Sequence, residues 1–195
     1  MGVARVTPQD EAAAAAVLAD AFYDDPFVSW MLPSDARRRE RFGRICAGLL
    51  RVTRGRNHAL RTADDGACAL WLAPGEKALT YPEIARMAPA ARGFGRRLPR
   101  TLAVLDLMDR KHPREPHWYL FLVGSDPARR GKGHGRAVIQ PVLDECDRDD
   151  IPAYLESSNP ANVPYYARYG FEVTGELRRA GSPPLIPMWR EPRGG

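Results

Sequence analysis

The chain has 195 residues, of which 44% are hydrophobic and 27% are charged, and its formal net charge at pH 7 is +5. This length suits one well-buried core better than two, and the composition is that of an ordinary globular domain. No apolar run approaches the roughly 20 residues that span a bilayer, and no signal-peptide pattern opens the chain. We therefore expect one cytoplasmic domain, residues 1–195, that does not enter a membrane.

The cysteines, histidines and arginines exclude several classes of protein. Cys46, Cys68 and Cys146 are widely spaced and form no CxxC pair, so we expect buried thiols and no disulfide framework. The four histidines show no HxxxH spacing, and no metal site is expected. Arginine pairs alternate with acidic clusters along the chain, which favours a solvated surface with a local anion site and no binding of nucleic acid.

The first half of the chain predicts two helices and a hairpin. A strand at residues 3–6 is followed by a helix with Thr7 as its N-cap, and a second helix is expected to begin at Ser34. Two strand-like runs, residues 58–61 and 67–73, flank an Asp-Gly turn, which is a strong signal for a hairpin.

The second half of the chain predicts a helical insert and then alternating strands and helices. The insert covers about residues 76–112, and the apolar run at 117–123 is typical of a central strand covered on both faces. A helix follows at about 133–149. Further strands are predicted at residues 153–157, 171–178 and 185–190. This order favours a single α/β domain without repeats.

A run of glycines and basic residues lies between the central strand and the helix that follows it. Its members are Arg130, Gly131, Lys132, Gly133, His134, Gly135 and Arg136. Glycines allow close backbone approach, and the helix N-terminus adds partial positive charge, so the run predicts an anion site. The spacing matches neither the P-loop nor the GxGxxG pattern, which disfavours ATP and NAD.

The run also resembles a known signature. Arg130 to Gly135 fit R/Q-x-x-G-x-G/A, the acetyl-CoA signature of the GCN5-related N-acetyltransferase (GNAT) family, and Tyr166 to Phe171 fit its downstream Y-x-x-x-G-F element. Within that family, residues 123–127, 155–158 and 188–192 look most like the puromycin N-acetyltransferase group. The resemblance implies a mixed, mostly antiparallel twisted sheet, flanked by helices, whose central strands splay apart.

The resemblance implies acetyl-CoA as the cosubstrate and assigns roles to several residues. The glycine run would hold the pyrophosphate, and Asn159 would bind the cofactor, although it is equally an N-cap candidate. Backbone groups of Val123, Gly124 and Ser125 would bind the pantetheine arm. Tyr166 would be the general acid; the alternative is that it only packs, as we expect for Tyr165 and Tyr169.

The general base is less directly indicated, because residues 117–123 contain no carboxylate. Glu156, at the end of the neighbouring strand, is the candidate. The alternatives are that Glu156 is merely an exposed residue, or that His117 acts through a water molecule.

The acceptor is expected to be a primary amine on a small molecule, an antibiotic or a metabolite. Tyr23, Asp24 and Trp30 offer aromatic walls and a carboxylate that would attract a cationic amine. A protein lysine or N-terminus is the alternative acceptor, and a non-catalytic CoA-binding regulatory module is the alternative function. A monomer and a homodimer are both compatible with the sequence.

Overall fold

The computed structural model describes residues 1–33 and 35–194, so the N-cap predicted at Ser34 lies outside the described residues. The strands of this part of the chain are β1 (Val3–Arg5), β2 (Asn57–Thr62), β3 (Ala67–Leu72), β4 (Trp118–Ser125), β5 (Ala153–Ser157), β6 (Glu172–Val173) and β7 (Ile186–Arg190). They form one sheet in the order β1-β2-β3-β4-β5-β7-β6. All neighbours are antiparallel except β4 and β5, which confirms the predicted mixed, mostly antiparallel α/β domain.

Helices flank both faces of the sheet. They are α1 (Glu11–Ala21), α2 (Pro26–Met31), α3 (Asp35–Val52), α4 (Tyr81–Arg86), α5 (Ala88–Ala91), α6 (Leu98–Lys111), α7 (His134–Asp149) and α8 (Val163–Ala167). One core lies under α1, α2 and α3, with Leu18, Cys46 and Leu70 fully buried. The other lies under α7 and α8 and is built around Trp71 and Ile139. Among the described residues, no helix is long and apolar enough to cross a membrane.

Strands β4 and β5 separate soon after they meet. They pair only at Trp118 with Ala153 and at Tyr119 with Tyr154, whereas β4 stays paired with β3 up to Ser125. The predicted splay of the central strands is therefore present. Beyond the last pair a cleft of about 2030 Å³ opens, and it is lined by residues of α8, the start of α7, α2, α4 and α6.

Two predicted elements differ from the structure. Helix α1 begins at Glu11 and not after Thr7, because the Thr7 hydroxyl and amide both donate to the Asp10 carboxylate, at 2.6 and 3.0 Å, and hold residues 7–10 in a turn. The strand expected at residues 171–178 is reduced to β6 and one bridge between Leu177 and Leu185. Both residues of β6 are exposed, so no apolar face stabilises a longer edge strand.

The segment between β3 and β4 is helical, and its start is fixed to the sheet by charge. Glu83, in the first turn of α4, accepts hydrogen bonds from Arg56 beside β2, at 2.6 and 3.1 Å, and from the Thr80 hydroxyl and amide as a capping box. The Arg56 guanidinium lowers the pKa of Glu83 to about 2. This pair holds α4 against the cleft.

Candidate active site

The glycine run forms an open cradle at the start of α7. Gly131 and Gly133 have φ values of +79° and +85°, a conformation that side-chain-bearing residues rarely adopt. No side chain in the described part of the chain caps α7, so its first-turn N–H groups are free to bind an anion. Arg130, Lys132 and Arg136 are exposed, and none of the three pairs with a carboxylate of the described residues.

His134 and Arg129 fix this cradle to the β2–β3 hairpin. The Asp64 carboxylate, in the hairpin turn, accepts from Arg129 Nη1 at 2.7 Å and contacts His134 Nε2 at 3.0 Å. The His134 ring is buried against Gly66, where an added Cβ would lie 2.1 Å from its Cδ2 atom. The side chain of His134 therefore orients the loop, and only its backbone is available to a ligand.

Two further glycines are required by packing. An added Cβ on Gly135 would lie 2.6 Å from the Tyr165 hydroxyl. The absence of a side chain at this position lets Tyr165 of α8 pack against the start of α7. An added Cβ on Gly124 would lie 2.6 Å from the Cβ of Ala21, so a glycine here lets helix α1 pack closely against β4. The resemblance implies that backbone groups of Gly124 bind the pantetheine arm, whereas the constraint visible in the structure is this helix.

The other residues expected to bind the cofactor line the cleft. Val123, Gly124 and Ser125 occupy the separated end of β4. Asn159 follows β5, and its side-chain oxygen accepts from the Ala161 amide at 3.0 Å, which caps the short 3-10 helix Pro160–Asn162. Asn159 therefore acts as an N-cap in the structure. This contact does not use the NH₂ group of its side chain, which is a hydrogen-bond donor.

Tyr166 in α8 is buried and borders the cleft. Its hydroxyl makes no hydrogen bond to any described residue. Burial, and then the nearby Asp25 carboxylate, raise the pKa of the phenol, so it stays protonated. Tyr165 and Tyr169 differ from it, because the Tyr169 hydroxyl donates to the Tyr165 hydroxyl at 3.0 Å.

Asp25 is a buried acid near Tyr166 that also lines the cleft. Its Oδ1 caps α2 by accepting from the amides of Phe27 and Val28, each at 3.0 Å, and its Oδ2 accepts from the Ser158 hydroxyl at 2.6 Å. Burial raises the pKa of Asp25. The bond from Ser158 links α2 to the end of β5, a tertiary contact that no local sequence pattern predicts.

Glu156 lies where β4 and β5 part, and its side chain is 2% exposed, so it is not an exposed sheet-end residue. Its two oxygens accept from the hydroxyls of Tyr119, at 2.6 Å, and Tyr154, at 3.0 Å. Acceptance at both oxygens suits a carboxylate, which has no hydrogen to donate. Burial, and then the charge of Glu156, raise the pKa of both phenols and keep them as donors. No Arg or Lys of the described chain pairs with this anion.

The three residues expected to bind the acceptor are not all brought together. Asp24 borders the cleft, next to Asp25. The Trp30 ring stacks on Phe27 at 5.6 Å, and Tyr23 lies under the Arg38 guanidinium at 5.4 Å. Phe27 borders the cleft, whereas Tyr23 and Trp30 are not among the residues that line it.

Several residues of the site carry no signal of their own in the sequence. The phenols of Tyr119 and Tyr154 surround Glu156 because the parallel register of β4 and β5 places them opposite each other. Tyr154 precedes Glu156 by two residues on one strand, so its side chain lies on the same face, which is the one available clue. Asp64 is 70 residues from His134, and nothing local indicates their pairing.

The arrangement defines a class of enzyme. A glycine-rich turn with free amides and three unpaired cations, an opening between two strands, a buried carboxylate and a protonated phenol form a site of the kind that an acyltransferase using a coenzyme A thioester requires. The sequence pattern of the acetyltransferase (GNAT) domain matches residues 106–191. An uncharacterized N-acetyltransferase of Schizosaccharomyces pombe is 30% identical over 211 aligned residues, covering 98% of this chain and 84% of that protein. The chain belongs to the GNAT acetyltransferase family.

Solved structures share the fold over nearly the full length. A Corynebacterium glutamicum protein, described as histone acetyltransferase HPA2 and related acetyltransferase, superposes with a TM-score of 0.69 at 22% identity, covering 99% of this chain and 97% of that one. PaiA N-acetyltransferase of Thermoplasma acidophilum, in complex with coenzyme A, gives a TM-score of 0.54 at 11% identity, covering 97% and 98%. The protein is an acyltransferase, and acetyl-CoA is its cosubstrate.

Proposed function

We propose that the protein transfers the acetyl group of acetyl-CoA to a primary amine of a small molecule. The observation that carries this proposal is Glu156, a buried carboxylate at the opening of the cleft whose charge is balanced by no described Arg or Lys. A buried charge is costly unless it is paired, and an ammonium group is the partner that satisfies it. Glu156 then removes a proton from the bound ammonium group and leaves a nucleophilic amine.

The remaining residues serve the cosubstrate. Bound acetyl-CoA supplies the acetyl group as an activated thioester. Arg130, Lys132, Arg136 and the free amides of the glycine run hold its pyrophosphate, and backbone groups from Val123 to Ser125 hold the arm that follows. Tyr166 holds a proton at its Oη atom, facing the cleft, for the sulfur that leaves.

The wall of the cleft on the side of the insert supports an amine with an apolar body. Four large apolar side chains of α4 and α6 are exposed and border the cleft: Tyr81 (89%), Leu102 (50%), Ile84 (47%) and Leu105 (42%). Asp24 and Asp109 lie along the same space, as does Asp106, which already pairs with Arg110 and Arg179. Apolar surface beside carboxylates is complementary to a cationic amine on a hydrophobic skeleton.

Within the family we place the protein in the puromycin N-acetyltransferase group, on the segments at residues 123–127, 155–158 and 188–192. An aminonucleoside-like antibiotic or metabolite is then the acceptor. Acetylation of a protein lysine or N-terminus is the second candidate, and the basic net charge of +5 is the observation in its favour.

Product analysis tests the function. The enzyme is incubated with acetyl-CoA and pools of arylalkyl amines, aminonucleosides, free amino acids and lysine peptides, with thiol release and product mass as readouts. We expect acetylated apolar amines. Acetylation of peptides alone would establish the second candidate, and coenzyme A binding without turnover on any amine would indicate a regulatory module.

Substitution of Glu156 tests the role of the carboxylate. Glu156→Gln keeps the size of the side chain and one acceptor oxygen, so we expect about a 100-fold lower kcat/KM near neutral pH with an unchanged KM for acetyl-CoA. A change of less than about threefold would show that Glu156 is not the base.

A further inference from the structure

Two histidines next to Glu156 form a chain whose protons are dictated by their partners. His117 Nδ1 lies 2.6 Å from the backbone oxygen of Glu115, His117 Nε2 lies 3.1 Å from His112 Nε2, and His112 Nδ1 lies 3.9 Å from Glu156 Oε1. A carbonyl oxygen only accepts, so the Nδ1 atom of His117 carries hydrogen. Burial lowers the pKa of His117, which leaves its Nε2 atom unprotonated near neutral pH.

The tautomer of His112 follows from that of His117. The lone pair on His117 Nε2 requires a donor, and His112 Nε2 is its partner, so neutral His112 carries hydrogen on Nε2 and a lone pair on Nδ1. That lone pair faces the Glu156 carboxylate. His112 Nδ1 and Glu156 Oε1 are then both acceptors, and they lie 3.9 Å apart. One additional proton can be bound between them, on either atom.

The surroundings hold His112 in place. Its ring meets the edges of the Tyr119 and Tyr154 rings, at 4.8 and 5.1 Å between centroids. It directly follows α6, whose C-terminal carbonyl groups carry partial negative charge. The titratable groups that face it are Glu156 and the two tyrosines, with His117 on its far side; the imidazole itself is about one quarter exposed, so it reaches solvent.

We propose that His112 is a positioning residue that carries away the proton collected by Glu156, an inference that rests on the proposed acetylation of an amine. The N–H bond of the substrate ammonium breaks and an O–H bond forms on Glu156. That O–H bond then breaks, an N–H bond forms at His112 Nδ1, and the proton passes to solvent water. The distance of 3.9 Å closes by a rotation of the ring or through one water molecule, as catalytic contacts often do when substrate binds.

His112→Gln tests the relay. The glutamine amide nitrogen can occupy the position of Nε2 and keep the bond to His117, but it cannot take up a proton. We expect kcat/KM at pH 7 to fall on the order of 10- to 100-fold, with the deficit shrinking as pH approaches the pKa of the acceptor amine, because less ammonium then needs to lose a proton. Added imidazole is expected to restore part of the rate in His112→Ala.

His58→Gln is the matched control, because His58 packs edge-on against Trp118 at 4.6 Å and does not border the cleft. We expect its kcat/KM to be unchanged. A deficit in His112→Gln that is the same at every pH, with no response of His112→Ala to imidazole, would overturn the relay, as would an unchanged rate.

Nitrogen NMR of the free enzyme separates this inference from the proposed function. At pH 8 we expect His112 as the Nε2–H tautomer and His117 as the Nδ1–H tautomer. The opposite tautomer at His112 would overturn the relay even if amines are acetylated. An enzyme that shows the expected tautomers but acetylates no amine would instead refute the proposed function.

Discussion

Removal of one hydroxyl group, in Tyr166→Phe, tests whether this phenol donates the proton to the leaving thiolate. The hydroxyl bonds to no described residue, so its loss leaves no partner unsatisfied, and we expect the free energy of unfolding to stay within about 0.5 kcal/mol of the wild-type value. The expected effect on the rate of catalysis is much larger than this effect on stability. A positioned general acid contributes about 100- to 10,000-fold, which corresponds to roughly 3 to 5 kcal/mol in the barrier.

The assay is thiol release at saturating acetyl-CoA and acceptor, alongside a thermal unfolding curve. We expect kcat to fall by at least about 100-fold while Tm and the KM for acetyl-CoA stay close to wild type. Because burial raises the pKa of Tyr166, the acid stays protonated above the ordinary phenol value, so the wild-type rate is not expected to decline on its account up to pH ~10.

Tyr169→Phe is the matched control for Tyr166→Phe. It removes a hydroxyl group from the same region. Because that hydroxyl donates to the Tyr165 hydroxyl at 3.0 Å, we expect less than about a threefold change in kcat. Equal losses in the two variants would mean that the effect is not specific to the Tyr166 hydroxyl. A loss in Tyr166→Phe below about fivefold would remove Tyr166 from the chemistry.

Two further predictions concern the supports of the site. In Gly66→Ala the new methyl group meets the buried His134 ring at 2.1 Å, so we expect a loss of about 1 to 3 kcal/mol in stability and a raised KM for acetyl-CoA with little change in kcat; an unaltered KM would show that the hairpin does not orient the glycine run. Glu83 has a folded-state pKa of about 2 against an ordinary 4.5, so the stability that it contributes is present above pH 4.5 and is lost as pH falls toward 2. Glu83→Gln should therefore lower Tm at neutral pH and flatten its dependence on pH in that window, and parallel Tm curves for the two proteins would contradict this assignment.

The parts of the structure that were predictable are those set by residues close in the chain. The alternation of turn signals and apolar runs indicated the hairpin of β2 and β3, the buried strand β4 and the helix after the glycine run. Gly131 and Gly133 take positive φ values because the local turn demands them. Helix α2 was not predicted, although its start carries local signals, with Asp25 as its cap and Pro26 as its first residue.

The contacts that organise the site join segments that are distant in the chain, and no local sequence pattern predicts them. The pairing of Asp64 with His134 depends on how the hairpin turn meets α7, and the phenol of Tyr119 reaches Glu156 only through the register of two parallel strands. Periodicity tells which face of a strand a residue occupies, but it does not tell which residue stands opposite. Gly124 illustrates the same limit, since the helix that requires it is about 100 residues earlier in the chain.

The two ends of the cleft differ in charge and in the elements that build them, and this separation has a consequence for specificity. Arg130 and Arg136 belong to the glycine run, whereas the exposed apolar side chains, Asp106, Asp109 and His112 belong to the segment between β3 and β4. The segment is fixed at its start by the bond between Arg56 and Glu83 and at its end by the contacts of His112. We infer that sequence changes between these two anchors alter which amine is accepted without altering how the cosubstrate is held, because none of the cations of the glycine run contacts the segment among the described ion pairs and hydrogen bonds.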